Sequence, residues 1–217
     1  MLKKSKKLIF LLSLIATIPS LSIAATQEQE RLSPDVQAGL RSSILNPIEP
    51  HLVFKSPDQG QAWMSDMSKR LKNWVPDDFL RKRYLTTIQY EAVRAGLDPQ
   101  MVLAVITVES RFNKYAISSS GAIGLMQIMP FWQQQIGTNE QSLFDTQTNI
   151  RYGCTILRYY LQRENGNMER ALGRYNGSLG QAAYPQLVFN AYTKYWLPYP
   201  VMELKNGKIV TIDYTAE

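Results

Sequence analysis

The stretch Met101–Val108, MVLAVITV, has Thr107 as its one polar side chain, and it runs without a break into a carboxylate, Glu109. Asp98 can accept the first free N–H groups of a helix and Pro99 is preset for its first position, so the sequence predicts a helix starting here. Apolar residues on every face demand burial on all sides, not a place on the surface. Glu109 therefore emerges from the interior. Two readings of it stand side by side. In one, Glu109 ends its helix in water and the glycines downstream only turn the chain. In the other, apolar surroundings disfavour the charged form, raise the carboxyl pKa and make Glu109 a proton donor. Ser118, Ser119, Ser120 and Gly121 break the helical pattern. Gly124-Leu125-Met126-Gln127 then brings backbone and an amide side chain toward the carboxyl, a setting for a neutral, hydrogen-bonding substrate.

At the start of the chain, Lys3, Lys4, Lys6 and Lys7 precede the apolar run Leu8–Ile18, with Ser22 and Ala24 two apart beyond it. This pattern predicts an export signal spanning residues 1–24, too short for a membrane span of about 20 apolar residues. An uncleaved anchor is the alternative, since Leu21–Ala25 lengthens the apolar stretch. With no cysteine near the cleavage site, a lipid anchor on cysteine is not expected. Cleavage takes four lysines and no acid from the 24 basic and 18 acidic residues, leaving 20 against 18. The headline basicity belongs mostly to the signal, and no basic stripe suited to nucleic acid is present. The single cysteine, Cys154, lies among Ile150, Gly153, Leu157 and Leu161 and reads as a buried apolar residue. Stability must come from packing, for which the mature length suffices.

Residues 25–78 read as a lead-in, irregular to about Asp58 because of Pro34, Pro47, Pro50 and Pro57, with a helix from Gln61 through Trp74. A helix starting near Pro76 or Phe79 is expected to close at Gly96. After the Glu109 helix come a short helical piece over Trp132–Ile136, a long helix after Asp145 stopped by Asn165-Gly166, and a helix capped by Asn167 that turns Tyr175 inward. A last helix from Pro185 is expected to bury Leu187, Val188, Tyr192 and Tyr195 or Trp196. Residues 198–217 read as a hairpin about Lys205-Asn206-Gly207 or as a tail. The fold class is therefore mainly α, with a catalytic domain at 79–197.

Elimination narrows the chemistry. One His and one Cys make no zinc site and leave a serine or cysteine triad without its histidine base; His51 lies in the lead-in with no partner at ligand spacing. No phosphate-cradling glycine-rich motif followed by Lys occurs. No metal or cofactor is expected. Carboxylate acid–base work on a neutral substrate remains, and glycosidic bond cleavage fits it best.

Glu109-Ser110, Gly121-Ala122-Ile123-Gly124-Leu125-Met126-Gln127, Leu143-Phe144-Asp145 with Asn149-Ile150, and Tyr175-Asn176-Gly177 together resemble, in order, the motifs of the soluble lytic transglycosylase family. The resemblance covers about residues 79–197. It departs at Arg174, where a small residue is usual, and at Ser178, where an alanine-glycine pair is common. It implies a lysozyme-like helical fold acting on peptidoglycan strands in the periplasm. Glu109 would protonate the bond between N-acetylmuramic acid and N-acetylglucosamine, then take the proton of the muramoyl C6 hydroxyl, giving a 1,6-anhydro product. Gln127 and the Met126 backbone would hold the sugar, Tyr175 would orient Glu109, and Ser110 and Asn176 would position backbone and substrate. Met126 and Tyr175 as core, and Asn176 as a turn residue, are the structural alternatives. Two other functions stay open: a hydrolytic lysozyme using a second carboxylate among Glu140, Asp145, Glu164 and Glu169, and a non-catalytic wall-binding or secretion-associated module.

Overall fold

The computed structural model describes residues 31–45 and 48–197, together with the backbone of 204–205 and 208–209. The expected export signal lies outside the described residues. Among the described residues eight α-helices follow one another: α1 Pro34–Leu45, α2 Pro57–Leu71, α3 Asp78–Arg94, α4 Pro99–Glu109, α5 Pro130–Ile136, α6 Thr146–Arg163, α7 Met168–Asn176 and α8 Ala183–Ala191. A wide turn, Tyr192–Trp196, continues α8. The mainly α expectation is met. Beyond it, the two-residue strands β1 Leu204–Lys205 and β2 Lys208–Ile209 pair antiparallel, Leu204 opposite Ile209, which is the centre of the expected hairpin.

Local chemistry sets the helix starts. Asp77 accepts from the Leu80 N–H, Asp98 from Gln100, Asp145 from Thr148 and Asn167 from Arg170, each at 2.6–3.0 Å. Gly96 closes α3 with φ +66° and Gly177 closes α7 with φ +81°, conformations that favour glycine. The largely apolar α4 lies at the centre, packed against α3, α8 and the wide turn, with Met101–Ile106 buried throughout.

Three expectations need correction. The lead-in is not irregular to Asp58: Pro34–Leu45 is a helix, and α2 starts at Pro57, capped by Ser56, rather than at Gln61. Helix α1 buries fully only Ile44, with Val36 and Leu40 half-buried against the core, and polar bonds fasten its end. Its last carbonyls, which no helical N–H can satisfy, accept from Arg94 (Ser43 O) and Arg151 (Ile44 O, 3.4 Å), while Arg41 donates to the Gly137 carbonyl at 2.7 Å. Arg151 is in turn held by the buried Glu91 carboxylate at 2.7 Å, which ties α6 to α3. On α8, Leu187 is 45% exposed, because the inward stripe is Tyr184, Val188 and Ala191, spaced by four and three residues. Of the other residues expected to be buried there, Val188 and Trp196 are, while Tyr192 and Tyr195 are half-buried.

The helix α6 meets the loop before α5 so closely at Gly153 that a Cβ there would collide with the Met126 side chain. Gly153→Ala is therefore expected to lower stability by about 1–3 kcal/mol, the usual cost of overpacking. Urea unfolding measures it, and an unchanged midpoint would mean that Met126 is free to move aside.

Candidate active site

Glu109 is the last residue of α4, and Ser110 ends the helix by donating its N–H to the Ile106 carbonyl at 3.1 Å. The residue is partly accessible, but protein atoms crowd its carboxyl. That desolvation pushes its pKa up from the ordinary carboxylate range to about 7, against the opposing pull of a hydrogen bond from the Tyr184 hydroxyl. Tyr184 donates to Glu109 Oε1 at 2.5 Å. Burial and the neighbouring Glu109 in turn hold the Tyr184 and Tyr175 phenols well above their usual range, so Tyr184 remains a donor at any working pH.

The loop between α4 and α5 folds back on the helix end through side chains anticipated from sequence, though in changed roles. Ser110 Oγ donates to the Leu125 carbonyl at 2.7 Å. Gln127 was expected to hold substrate, but its amide nitrogen is spent on the Gly124 and Ala116 carbonyls at 2.9 and 3.2 Å, which staples its own turn. The Met126 backbone is also engaged within the protein: its N–H goes to Asn149 Oδ1 at 2.8 Å, and its carbonyl accepts from Tyr175 at 2.7 Å. A Met126 N–H held this way is not offered to a sugar. The Tyr175 hydroxyl, expected to orient Glu109, fixes the backbone of Met126, and the Tyr184 hydroxyl donates to the Glu109 carboxyl. Asn149 completes the clamp by donating to the Ile123 and Leu143 carbonyls, both at 2.8 Å.

Asn176 closes α7 and is buried, its Oδ1 lacking a hydrogen-bond partner among the described residues; the Ser178 hydroxyl, one of the two departures, shares that condition. The other departure, Arg174, turns to Glu164 together with Arg170, and that pairing holds the Glu164 pKa below its ordinary value. Sequence reasoning missed Tyr184, which stands outside any motif and ahead of Pro185 at a helix start. Among the described residues no cluster of three metal-ligand side chains forms.

The helical domain thus presents one carboxyl, desolvated and held by a tyrosine hydroxyl. Comparison with known proteins finds a family match over part of the chain: residues 86–189 match the transglycosylase SLT domain. The chain is 35% identical over 120 residues, 55% of its length, to a protein named transglycosylase from Enterobacteria phage PRD1, of which it covers 41%. It is 32% identical over 114 residues, 45% of its length, to the membrane-bound lytic murein transglycosylase C of Edwardsiella ictaluri, of which it covers 32%. The chain thus spans less than half the length of these relatives. A solved structure of the lytic transglycosylase Slt from Pseudomonas aeruginosa, an inactive mutant, aligns over 50% of this chain and 21% of that one, with 26% identity and a TM-score of 0.40.

The carboxyl pKa of about 7 sets two pH dependences. Between its unfolded value near 4.5 and about 7, the unfolded state releases the proton while the folded state keeps it. The contribution of Glu109 to stability is therefore complete below 4.5, falls as pH rises, and levels off above 7. The melting-temperature advantage of Glu109→Gln over wild type is expected to widen across that window. Tyr184→Phe removes the bond that lowers the pKa, so the alkaline limb of the rate profile is expected to move to higher pH while the maximal rate drops about tenfold. A profile that stays in place would detach Tyr184 from the acid.

Proposed function

We propose that the chain is a peptidoglycan lytic transglycosylase in which Glu109 is both acid and base. The observation that carries this reading is the Glu109 carboxyl, raised to about 7 at the end of a buried helix within the matched domain. The protonated carboxyl delivers its proton to the glycosidic oxygen as the C1–O bond breaks, and the substrate's own acetamido group stabilises the positive charge at C1. The carboxylate so formed takes the proton of the C6 hydroxyl, whose oxygen closes on C1 to give the 1,6-anhydro sugar. Each turnover returns Glu109 to its acid form, and no protein nucleophile or cofactor is required.

Ser110, Asn149 and Tyr175 fix the loop that forms the wall beside Glu109, Gln127 has its amide oxygen left for a substrate donor, and Asn176 Oδ1 is an acceptor in need of a partner. A hydrolase would use a second carboxylate to place water. The candidates are engaged or unsupported: Asp145 caps α6, Glu164 is paired with two arginines, and Glu140 and Glu169 are exposed. The names of the relatives favour the same chemistry, and the lysine-led apolar leader supports export to the cell wall. No helix among the described residues is long and apolar enough to cross a membrane.

Glu109→Gln keeps the shape of the side chain without a transferable proton. It is expected to fold and bind cell wall while losing at least about 10²- to 10⁴-fold in release of anhydro-muropeptides, the contribution typical of general acid–base catalysis. Mass analysis of the released fragments checks both the rate and the chemistry. Near wild-type release by Glu109→Gln would assign the proton to another group, and reducing-end products from the wild type would make the enzyme a hydrolase.

A further inference from the structure

A groove with a cavity volume of about 720 Å³ opens between α1, the end of α3 and α6. It is not the Glu109 site. Gly96, on its rim, lies just ahead of the first turn of α4, and Glu109 is that helix's last residue, so the length of α4, about 15 Å, separates them. Arg94, Arg158 and Arg163 line the groove beside Tyr159, Gln162 and the apolar flank of α1. The acid within it, Glu91, is buried and already bound by Arg151 and Arg94, so it does not offset Arg158. Arg158 donates one long bond, 3.3 Å, to the Gly96 carbonyl, which leaves most of its five N–H donors without a protein acceptor among the described residues. Val36, Gly39 and Leu40 of α1 also line the groove, and a Cβ on Gly39 would meet nothing within 4 Å.

A planar guanidinium with donors to spare recognises carboxylate, and an apolar wall facing it suits the small side chains of a short peptide. On the reading of the chain as a wall enzyme, we propose that this groove binds the carboxylate-bearing peptide stems of peptidoglycan, holding the polymer at a second point while Glu109 cuts the glycan. The site would raise the time spent on insoluble wall and leave cleavage of short soluble glycans unaffected.

The test is calorimetric titration of the mature protein with a soluble stem tetrapeptide, run on wild type, Glu109→Gln, Arg158→Gln and Gly39→Glu. Gly39→Glu places an anion in open space on a helix and so blocks the groove without a clash. Wild type and Glu109→Gln are expected to bind alike, and both groove variants to bind about tenfold or more weakly, the loss of one charge-assisted hydrogen bond. The groove variants should also melt as wild type does, cleave soluble glycan chains normally and release less from whole sacculi. Loss of peptide by Glu109→Gln would place the peptide at the catalytic cleft and overturn the proposal, as would equal binding by all four proteins. Inorganic phosphate competing at millimolar levels while the tetrapeptide does not bind would make the groove a simple anion site, with the same consequence. Because binding is read without turnover, a hydrolytic or inactive enzyme that still bound the peptide would sink the assigned chemistry and leave the groove standing.

Discussion

Everything at this site depends on burying α4 from all sides. Helix α3, helix α8 and the wide turn after it close around Met101–Ile106, and Trp196 reaches the helix's one polar interior residue by donating its indole N–H to Thr107 Oγ1 at 2.9 Å. That enclosure keeps water from much of the Glu109 carboxyl. It also brings in α8, and with it Tyr184, so one packing arrangement supplies both the apolar surroundings that raise the pKa and the hydroxyl that restrains it. An α4 exposed on one face would leave Glu109 an ordinary surface acid.

Precision then comes from polar side chains that spend themselves on backbone. Ser110 reaches across to Leu125, Asn149 to two backbone groups of the loop and to the Leu143 carbonyl ahead of α6, and Tyr175 to Met126. These bonds hold a loop whose backbone is unusual. Arg111, Phe112 and Gln127 all take positive φ, between +50° and +65°, which non-glycine residues adopt at a cost. Strain of this kind persists only where surroundings over-determine it: Asn149 and Tyr175 hold Met126 beside Gln127, and Trp74 and Trp196 pack on Phe112. The motif residues therefore work largely on one another, shaping a rigid wall, with few of them left to face a substrate directly.

This division explains what was legible beforehand. Most helices and the caps at Asp98 and Asn167 could be read because such residues act through their nearest neighbours in sequence, as Asp77 and Asp145 also do. Glu109 stood out because a carboxylate directly after an apolar helix conflicts with its setting. Helix α1 escaped notice because arginines fifty and a hundred residues away hold its C-terminal carbonyls, and its own stripe is too weak to announce it. Tyr184 escaped for a related reason. Its partner lies 75 residues back, and a tyrosine ahead of a proline at a helix start gives no periodic signal. Tyr175 was correctly turned inward, yet a buried hydroxyl finds whichever acceptor the tertiary fold presents, and periodicity does not name it.

On the proposed mechanism, the balance at Glu109 fits the demand of one group serving two opposite steps. A carboxyl that first gives a proton and then recovers one works best when neither form is strongly preferred at the working pH. At the ordinary value of 4.5 the acid would be almost absent near neutrality, and the first step would wait on a rare species. Burial alone would err the other way, holding the proton so firmly that its departure to the leaving oxygen became costly. The Tyr184 bond favours the carboxylate and draws the pKa back toward neutrality, which places the group near 7. Burial thus makes Glu109 an acid, and one phenol keeps it from becoming too weak an acid to use.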